Sequence, residues 1–139
     1  MGIIVVGVDA SDTAHEAARV AASLAQRLGS RLHIVTAYDR GGSGRVVGGA
    51  VDAPVRPLDR AETLVATVAA DFRTKVPEVT TAAASGAAPD VICDEAARVG
   101  ADLIVVGNKR VKGPSRVLGA VAAKVVSHAP CDVYIAHTT

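Results

Sequence analysis

The chain has 139 residues, of which 50% are apolar, and a formal net charge of +1. At this length we expect one domain with a sizeable core, and apolar runs such as Ile3 to Val6 are far shorter than the roughly 20 residues that span a bilayer. Only two Tyr and one Phe are present to stack on bases, which argues against a nucleic-acid-binding protein.

The first elements along the chain are a strand, a helix and a second strand. Ile3 to Val8 is a β-branched apolar run, typical of a strand buried on both faces of a parallel sheet. Ser11 offers an N-cap for a helix that Gly29 ends. The predicted buried face of this helix comprises Ala14, Ala18, Ala21, Ala25 and Leu28. Leu32 to Tyr38 predicts the second strand.

A segment rich in glycine and proline follows, and it is either a lid over a site or a disordered loop. It contains Gly41, Gly42, Gly44, Gly48, Gly49, Pro54 and Pro57. The second helix is predicted by an apolar stripe comprising Leu64, Val65, Val68, Ala69 and Phe72. Val76 to Ala84 predicts the third strand, with Pro77 at its start.

The last third of the chain predicts two more strands and two more helices. Asp90 to Val99 indicates the third helix, with Pro89 at its first position and Gly100 after its end. Asp102 to Val106 predicts the fourth strand, followed by a loop from Gly107 to Pro114. The apolar positions of the fourth helix are Val117, Leu118, Val121, Val125 and Val126, and the last predicted strand runs from Asp132 to His137.

Strict alternation of buried strands and helices predicts a single α/β domain over residues 1–139. We expect a doubly wound, five-stranded parallel sheet in the order 3-2-1-4-5, with helices on both faces. Ligands bind such sheets beyond the carboxyl ends of the strands, where the strand order reverses. Asp9 follows strand one and Gly107 follows strand four, so a small-ligand pocket is expected between them.

The residues at this point suit a nucleotide. A carboxylate such as Asp9 can accept hydrogen bonds from ribose hydroxyls, while small residues and amides before a helix can hold phosphates. The alternative is that Asp9 only accepts hydrogen bonds from the amides that follow it at the helix start.

Several other classes of site are excluded by their missing signatures. No glycine-rich signature of a P-loop enzyme or a dinucleotide dehydrogenase follows strand one. A triad of Asp9, Ser11 and His15 is excluded because Ser11 lacks a nucleophile elbow and His15 lies one turn inside the helix. Cys93 and Cys131 are far apart in sequence. His128 and Cys131 have a spacing that metal ligands sometimes use, but zinc needs three or four ligands and no further Cys or His pair lies nearby, so we expect no metal site. The protein is not expected to be an enzyme.

Four segments, in this order and spacing, resemble the universal stress protein family: Val5 to Ser11, Gly86 to Asp90, Ala101 to Asn108 and His128 to Val133. The resemblance covers the whole chain. It implies a homodimer and, in one branch of the family, ATP held by the strand-one aspartate and a glycine-rich loop.

That loop has the form Gly, two residues, Gly, nine residues, Gly-Ser/Thr. Gly107 and Gly119 match its outer glycines, whereas Arg110 stands at the second glycine, eight residues separate it from Gly119, and Ala120 replaces the hydroxyl residue. Gly113 could supply the missing flexibility, and basic side chains such as Lys109 could supply charge.

The resemblance therefore implies a set of binding residues. Those on the base and ribose side are Gly7, Val8 and Asp9, with Ala37 on the adenine side; those at the mouth are Val106, Gly107 and Asn108; those near the phosphates are Gly119, Ala120 and Val121. We add Lys109, Arg110 and Gly113 to the predicted site, because they could compensate for the departures from the family's loop. The implied ligand is an adenine nucleotide, either ATP, with Mg²⁺ as a possible companion, or cyclic AMP.

The sequence thus predicts a stress-response protein that binds an adenine nucleotide; the alternative is an interaction protein with a vestigial crevice. We expect a homodimer through Asp132 to His137, because this edge strand has an apolar centre without proline or lysine. Neither a secretory leader nor a disulfide pattern is evident, so the cytoplasm is the expected compartment.

Overall fold

The computed structural model describes residues 2–40, 56–109 and 118–138. Within these ranges the strands are β1 Ile3–Gly7, β2 Arg31–Tyr38, β3 Val79–Ser85, β4 Leu103–Lys109 and β5 Asp132–Thr138. The helices are α1 Asp12–Leu28, α2 Pro57–Ala70, α3 Ala88–Val99 and α4 Ala120–His128. The glycine-rich segment from Gly41 to Pro54 lies outside the described residues.

All strand pairs are parallel, and the sheet order is β3-β2-β1-β4-β5. The predicted fold class and strand order are therefore confirmed. The chain moves outward from β1 to β3 on one side and then crosses to β4 on the other. The order reverses between β1 and β4, which places the carboxyl ends of these two strands side by side.

Two apolar cores lie on opposite faces of the sheet, because successive side chains of each strand point to opposite faces. The first core joins α1 and α2 to alternate strand residues such as Ile4 and Ile34. The second core joins α3 and α4 to the intervening residues, including Val5 and Ile104. No helix in the described parts of the chain is long and apolar enough to cross a membrane.

Helix α1 follows the predicted boundaries. The Ser11 hydroxyl accepts a hydrogen bond from the Ala14 amide at 3.2 Å, and Gly29 ends the helix with a left-handed φ of 65°. Its buried side chains are all alanines, at 17, 18, 21, 22 and 25, so the helix packs closely on the sheet. Leu28 was wrongly assigned to this face: it is the last helical residue and is 63% exposed, at the turn toward β2.

The start of β3 and the end of β4 differ from the predictions. Val76 is buried in the turn before β3, which begins at Val79, so Pro77 is not its first residue. Strand β4 does not end at Val106, because β5 continues the ladder as far as the Lys109–Thr138 pair. The predicted loop from Gly107 therefore begins as strand.

Three helix predictions also need correction. Pro57 is the first residue of α2 rather than part of the preceding loop, and Phe72 is buried just beyond the end of that helix. Helix α3 begins at Ala88, so Pro89 is its second residue. Helix α4 begins at Ala120, so Leu118 of its predicted apolar face precedes the helix and is exposed, and Val117 lies outside the described residues. The helix buries Ala122 and Val125, whereas Val121 and Val126 are exposed, because this short helix turns only a narrow stripe toward the sheet.

Candidate functional site

A cavity of about 250 Å³ opens at the carboxyl ends of β1 and β4. We call it the switch-point pocket. Its lining residues are Gly7, Val8, Asp9, Ser11, Thr13, Ala14, Val35, Ala37, Ala88, Ile92, Val106, Gly107 and Val121. These residues come from both faces of the sheet, since α1 lines one side and α3 and α4 line the other. The volume lies below the roughly 300–1,000 Å³ of pockets for drug-sized ligands, so the enclosed part suits a nucleoside-sized group.

The polar corner of the pocket lies between β1 and α1. An Asp9 oxygen, Oδ1, accepts a hydrogen bond from the Ser11 amide at 2.7 Å, and the Ser11 hydroxyl in turn caps α1. The helix-capping alternative for Asp9 is therefore present in the structure. Within the described residues nothing else bonds to the second carboxylate oxygen, Oδ2, and Asp9 is exposed at the pocket mouth. One oxygen thus holds the turn while the other can meet a ligand.

The floor of the pocket depends on a close approach between β1 and α3. A Cβ placed on Gly7 would lie 2.4 Å from Cδ1 of Ile92, so the isoleucine side chain lies directly against the strand backbone. Ile92 is 5% exposed and Val106 is 4% exposed. Together with Val35 and Ala37 they form an apolar slot, which favours a flat uncharged ring over a charged group.

Gly107 allows a similar close approach between β4 and α1 on the opposite face of the sheet. A Cβ at this position would lie 3.1 Å from Cγ2 of Thr13 and 3.2 Å from its carbonyl oxygen. The glycine therefore lets the first turn of α1 pack against β4. This packing brings Thr13 and Ala14 into the pocket wall.

The end of β4 is joined to the start of α4 by Asn108. Its Oδ1 accepts a hydrogen bond from the Gly119 amide at 2.8 Å, and Gly119 is the N-cap of α4. The resemblance assigned Gly119 to the phosphates, but its amide already has this partner. The amide of Ala120, at the first position of α4, lies at the positive end of the helix dipole. Lys109 is exposed at the end of β4.

Seven of the predicted binding residues line the switch-point pocket. They are Gly7, Val8, Asp9, Ala37, Val106, Gly107 and Val121. Asn108, Lys109, Gly119 and Ala120 lie at the β4 and α4 ends beside it rather than in its lining. Arg110 and Gly113 fall outside the described residues.

Sequence reasoning did not assign six other lining residues to the site: Ser11, Thr13, Ala14, Val35, Ala88 and Ile92. The residues at the start of α1 follow Asp9 so closely that the sequence could have predicted their place in the pocket wall. Ile92 had no such signal, because only its packing against Gly7 reveals it.

A buried polar network fixes α3 on the sheet behind the pocket. His33 of β2 is 4% exposed; its Nδ1 lies 2.6 Å from Oγ1 of Thr80 and its Nε2 lies 3.0 Å from Oε1 of Glu95. Arg98 pairs with the same carboxylate, and this guanidinium, followed by His33, lowers the pKa of Glu95 against the opposing effect of burial. Because Glu95 lies one turn after Ile92, the network holds the helix turn that forms the pocket floor.

No three acidic, Cys or His side chains in residues 2–40, 56–109 and 118–138 are grouped closely enough to hold a metal ion. Both cysteines are unpaired, and burial raises the pKa of each thiol.

The fold and the pocket define the class of protein: a doubly wound α/β domain with a small-ligand crevice at its topological switch point. The model of the universal stress protein family matches residues 1–137. The chain therefore belongs to the universal stress protein family, as its sequence motifs indicated.

Individual relatives agree with this assignment. A Thermus aquaticus protein described as a universal stress protein in the QAH/OAS sulfhydrylase 3′ region is 35% identical over 133 residues, which cover 95% of this chain and 96% of that protein. A crystal structure of a universal stress protein in complex with cAMP has a TM-score of 0.74 and 26% identity, over 99% of this chain and 98% of the other. The universal stress protein from Archaeoglobus fulgidus in complex with dAMP has a TM-score of 0.68 and 26% identity, over 97% and 96% of the two chains.

Proposed function

We propose that this protein binds an adenine nucleotide in the switch-point pocket and acts in a stress response as a binding protein rather than an enzyme. The observation that carries the proposal is the arrangement of Asp9, whose Oδ2 is free among the described residues, beside an apolar slot of nucleoside size. Two family members of similar fold, crystallised with cAMP and with dAMP, support the same ligand class.

The pocket suggests how such a ligand would be oriented. The base would enter the slot between Ile92 and Ala37, and Asp9 would accept a hydrogen bond from a ribose hydroxyl. The phosphates would point toward the Ala120 amide and Lys109, where the helix dipole and a positive charge favour anions. Whether the ligand is ATP with Mg²⁺ or cyclic AMP depends on this phosphate side, to which the prediction also assigns Arg110 and Gly113.

We propose that the protein is not an enzyme because of the side chains that line the pocket. Asp9 is the only titratable side chain among the described lining residues, and the hydroxyls of Ser11 and Thr13 have no histidine, lysine or second carboxylate beside them in that lining. A general base for water attack would need such a partner within hydrogen-bond reach.

A homodimer through β5 is also proposed. Tyr134 is 45% exposed on this edge strand, and Val133 and Ile135 are partly buried. Antiparallel pairing of β5 with its copy across a twofold axis would satisfy the outward backbone groups and cover the tyrosine. The two unpaired cysteines favour a reducing compartment such as the cytoplasm.

The binding proposal is tested by titrating wild type and two Asp9 variants with AMP and with 2′,3′-dideoxy-AMP in a calorimeter. Asp9→Ala should weaken AMP binding by about 1–3 kcal/mol, because a charge-assisted hydrogen bond to the ribose is lost. Asp9→Asn can still accept the hydrogen bond from the Ser11 amide, so its AMP affinity should fall less than that of Asp9→Ala. The dideoxy ligand should bind all three proteins equally, since it lacks the hydroxyls.

Two outcomes would contradict the proposal in different ways. Equal AMP affinity for wild type and both variants would exclude the ribose role of Asp9. If wild type bound neither AMP, ATP nor cyclic AMP, the crevice would be vestigial and the protein would act through its dimer or partner contacts.

A further inference from the structure

The peptide that joins Val8 to Asp9 is held from behind the pocket by a buried threonine. The Thr36 hydroxyl donates a hydrogen bond to the Val8 carbonyl oxygen at 2.7 Å, and Thr36 is 3% exposed. The Val8 amide donates to the Val35 carbonyl at 2.8 Å. The residue before Asp9 is therefore fixed through both of its backbone polar groups.

The position of this bond in the sheet explains its importance. Strand β1 ends at Gly7, so the Val8 carbonyl lies just beyond the regular ladder, where the chain leaves the sheet toward α1. A side-chain hydroxyl takes the place of a backbone donor at this point. A buried carbonyl without a donor would be costly, and a chain turning away from its sheet has few other donors available.

Thr36 does not line the pocket, although its neighbours Val35 and Ala37 do. Alternate residues of a strand point to opposite faces, so the Thr36 side chain projects to the α1 and α2 side of the sheet. A β-branched side chain also has few rotamers, which keeps the hydroxyl in one direction. Thr36 thus supports the Asp9 turn from the face opposite the apolar slot.

We infer that Thr36 is a positioning residue for nucleotide binding: its hydroxyl sets the direction in which the Asp9 carboxylate meets the ligand. This inference rests on the proposed function, because it needs Asp9 to contact a ribose hydroxyl. Thr36 itself touches no ligand. The local turn at Ser11 orients one Asp9 oxygen, and Thr36 orients the peptide on which the whole side chain is mounted.

The test uses Thr36→Val, which keeps the shape and removes the donor, and Thr36→Ser, which keeps the donor. AMP affinity should fall about threefold to tenfold for Thr36→Val, as expected for the loss of one net hydrogen bond, and should return nearly to the wild-type value for Thr36→Ser. If Thr36→Val does not fold, Thr36→Cys replaces it, since a thiol is a similar size and a weak donor.

Two controls separate positioning from general destabilisation. Val65→Ala removes packing from α2 in the same core, far along the chain from Asp9, and should lower stability without changing AMP affinity. In an Asp9→Ala background, Thr36→Val should have no further effect on AMP affinity, because the residue it positions is gone. The single variant Thr36→Val should bind 2′,3′-dideoxy-AMP with the wild-type affinity, because this ligand lacks the ribose hydroxyls that Asp9 contacts.

Each result gives a decision. Wild-type AMP affinity in Thr36→Val, or losses that add in the double variant with Asp9→Ala, would overturn the inference while leaving the binding proposal intact. An affinity loss of the same size in Val65→Ala would reduce Thr36 to a stability role. Failure of the wild-type protein to bind any adenine nucleotide would instead overturn the proposed function.

Discussion

Substitution of Gly7 by alanine should show how tightly β1 and α3 define the pocket floor. The backbone φ of Gly7 is not positive, so alanine can adopt its conformation, and any cost must come from contact. The new Cβ would lie 2.4 Å from Cδ1 and 2.8 Å from Cγ1 of Ile92. Favourable carbon–carbon contacts are about 3.5–4.0 Å, so the isoleucine has to retreat by about 1 Å.

Ile92 is buried and lines the switch-point pocket, so it can retreat only by entering that space or by displacing α3. Overpacking of this kind costs about 1–3 kcal/mol in the free energy of unfolding. Gly7→Ala should therefore destabilise the protein in urea denaturation. AMP affinity should fall as well, because the slot becomes narrower.

A double-mutant cycle with Ile92→Val isolates the contact. In the wild-type background, Ile92→Val should lower the free energy of unfolding by about 0.5–1.5 kcal/mol. In the Gly7→Ala background the same substitution should raise the free energy of unfolding, because it removes the methyl group nearest the new Cβ. Ile104→Val deletes the same group in the same core and should act additively with Gly7→Ala. If Ile92→Val destabilised both backgrounds equally, the predicted contact would not be the source of the cost.

Two further predictions concern α3 and the sheet edge. Since Arg98, and then His33, lower the pKa of Glu95, its charge stabilises the fold above the pKa of the unfolded state and this contribution is lost as the pH falls through the folded value. Glu95→Gln should thus lower the free energy of unfolding at pH 7 and change it less in acid; an equal loss at both pH values would contradict the charged role. Tyr134→Lys should shift a dimer toward monomer in sedimentation measurements by placing a charge on the β5 edge. A wild-type protein that is already monomeric at tens of micromolar would exclude this interface, and Val126→Lys, an exposed change on α4, is the matched control.

Much of the architecture could be predicted from local patterns. Short β-branched runs indicate strands buried on both faces, and their alternation with helices leaves few topologies besides a parallel doubly wound sheet. The start and end of α1 are encoded by Ser11 and Gly29, which satisfy backbone groups within a few residues of themselves. The same locality placed Asp9 at the carboxyl end of β1, and from there the general position of the pocket followed.

Patterns failed where burial comes from distant parts of the chain. Val76 is buried in the turn before β3 rather than in the strand, and Leu28 continues the spacing of the buried face but is exposed as the last residue of α1. Strand β4 is longer than its apolar run because β5 supplies a partner for Asn108 and Lys109. Local sequence patterns cannot predict these contacts, because they join elements that are distant in the chain.

The finer geometry of the site was also decided by tertiary structure. The sequence indicated that Gly7 and Asp9 lie at a ligand crevice, but Ile92 became its floor only through the way α3 rests on β1. Likewise, Thr36 looked like one more residue of an internal strand until its hydroxyl was found on the Val8 carbonyl, 28 residues away in the chain. Chain direction and periodicity determine which end of a sheet carries a site, because they depend on neighbours in sequence. The side chains that shape the site are set by packing between elements, which only the folded chain brings together.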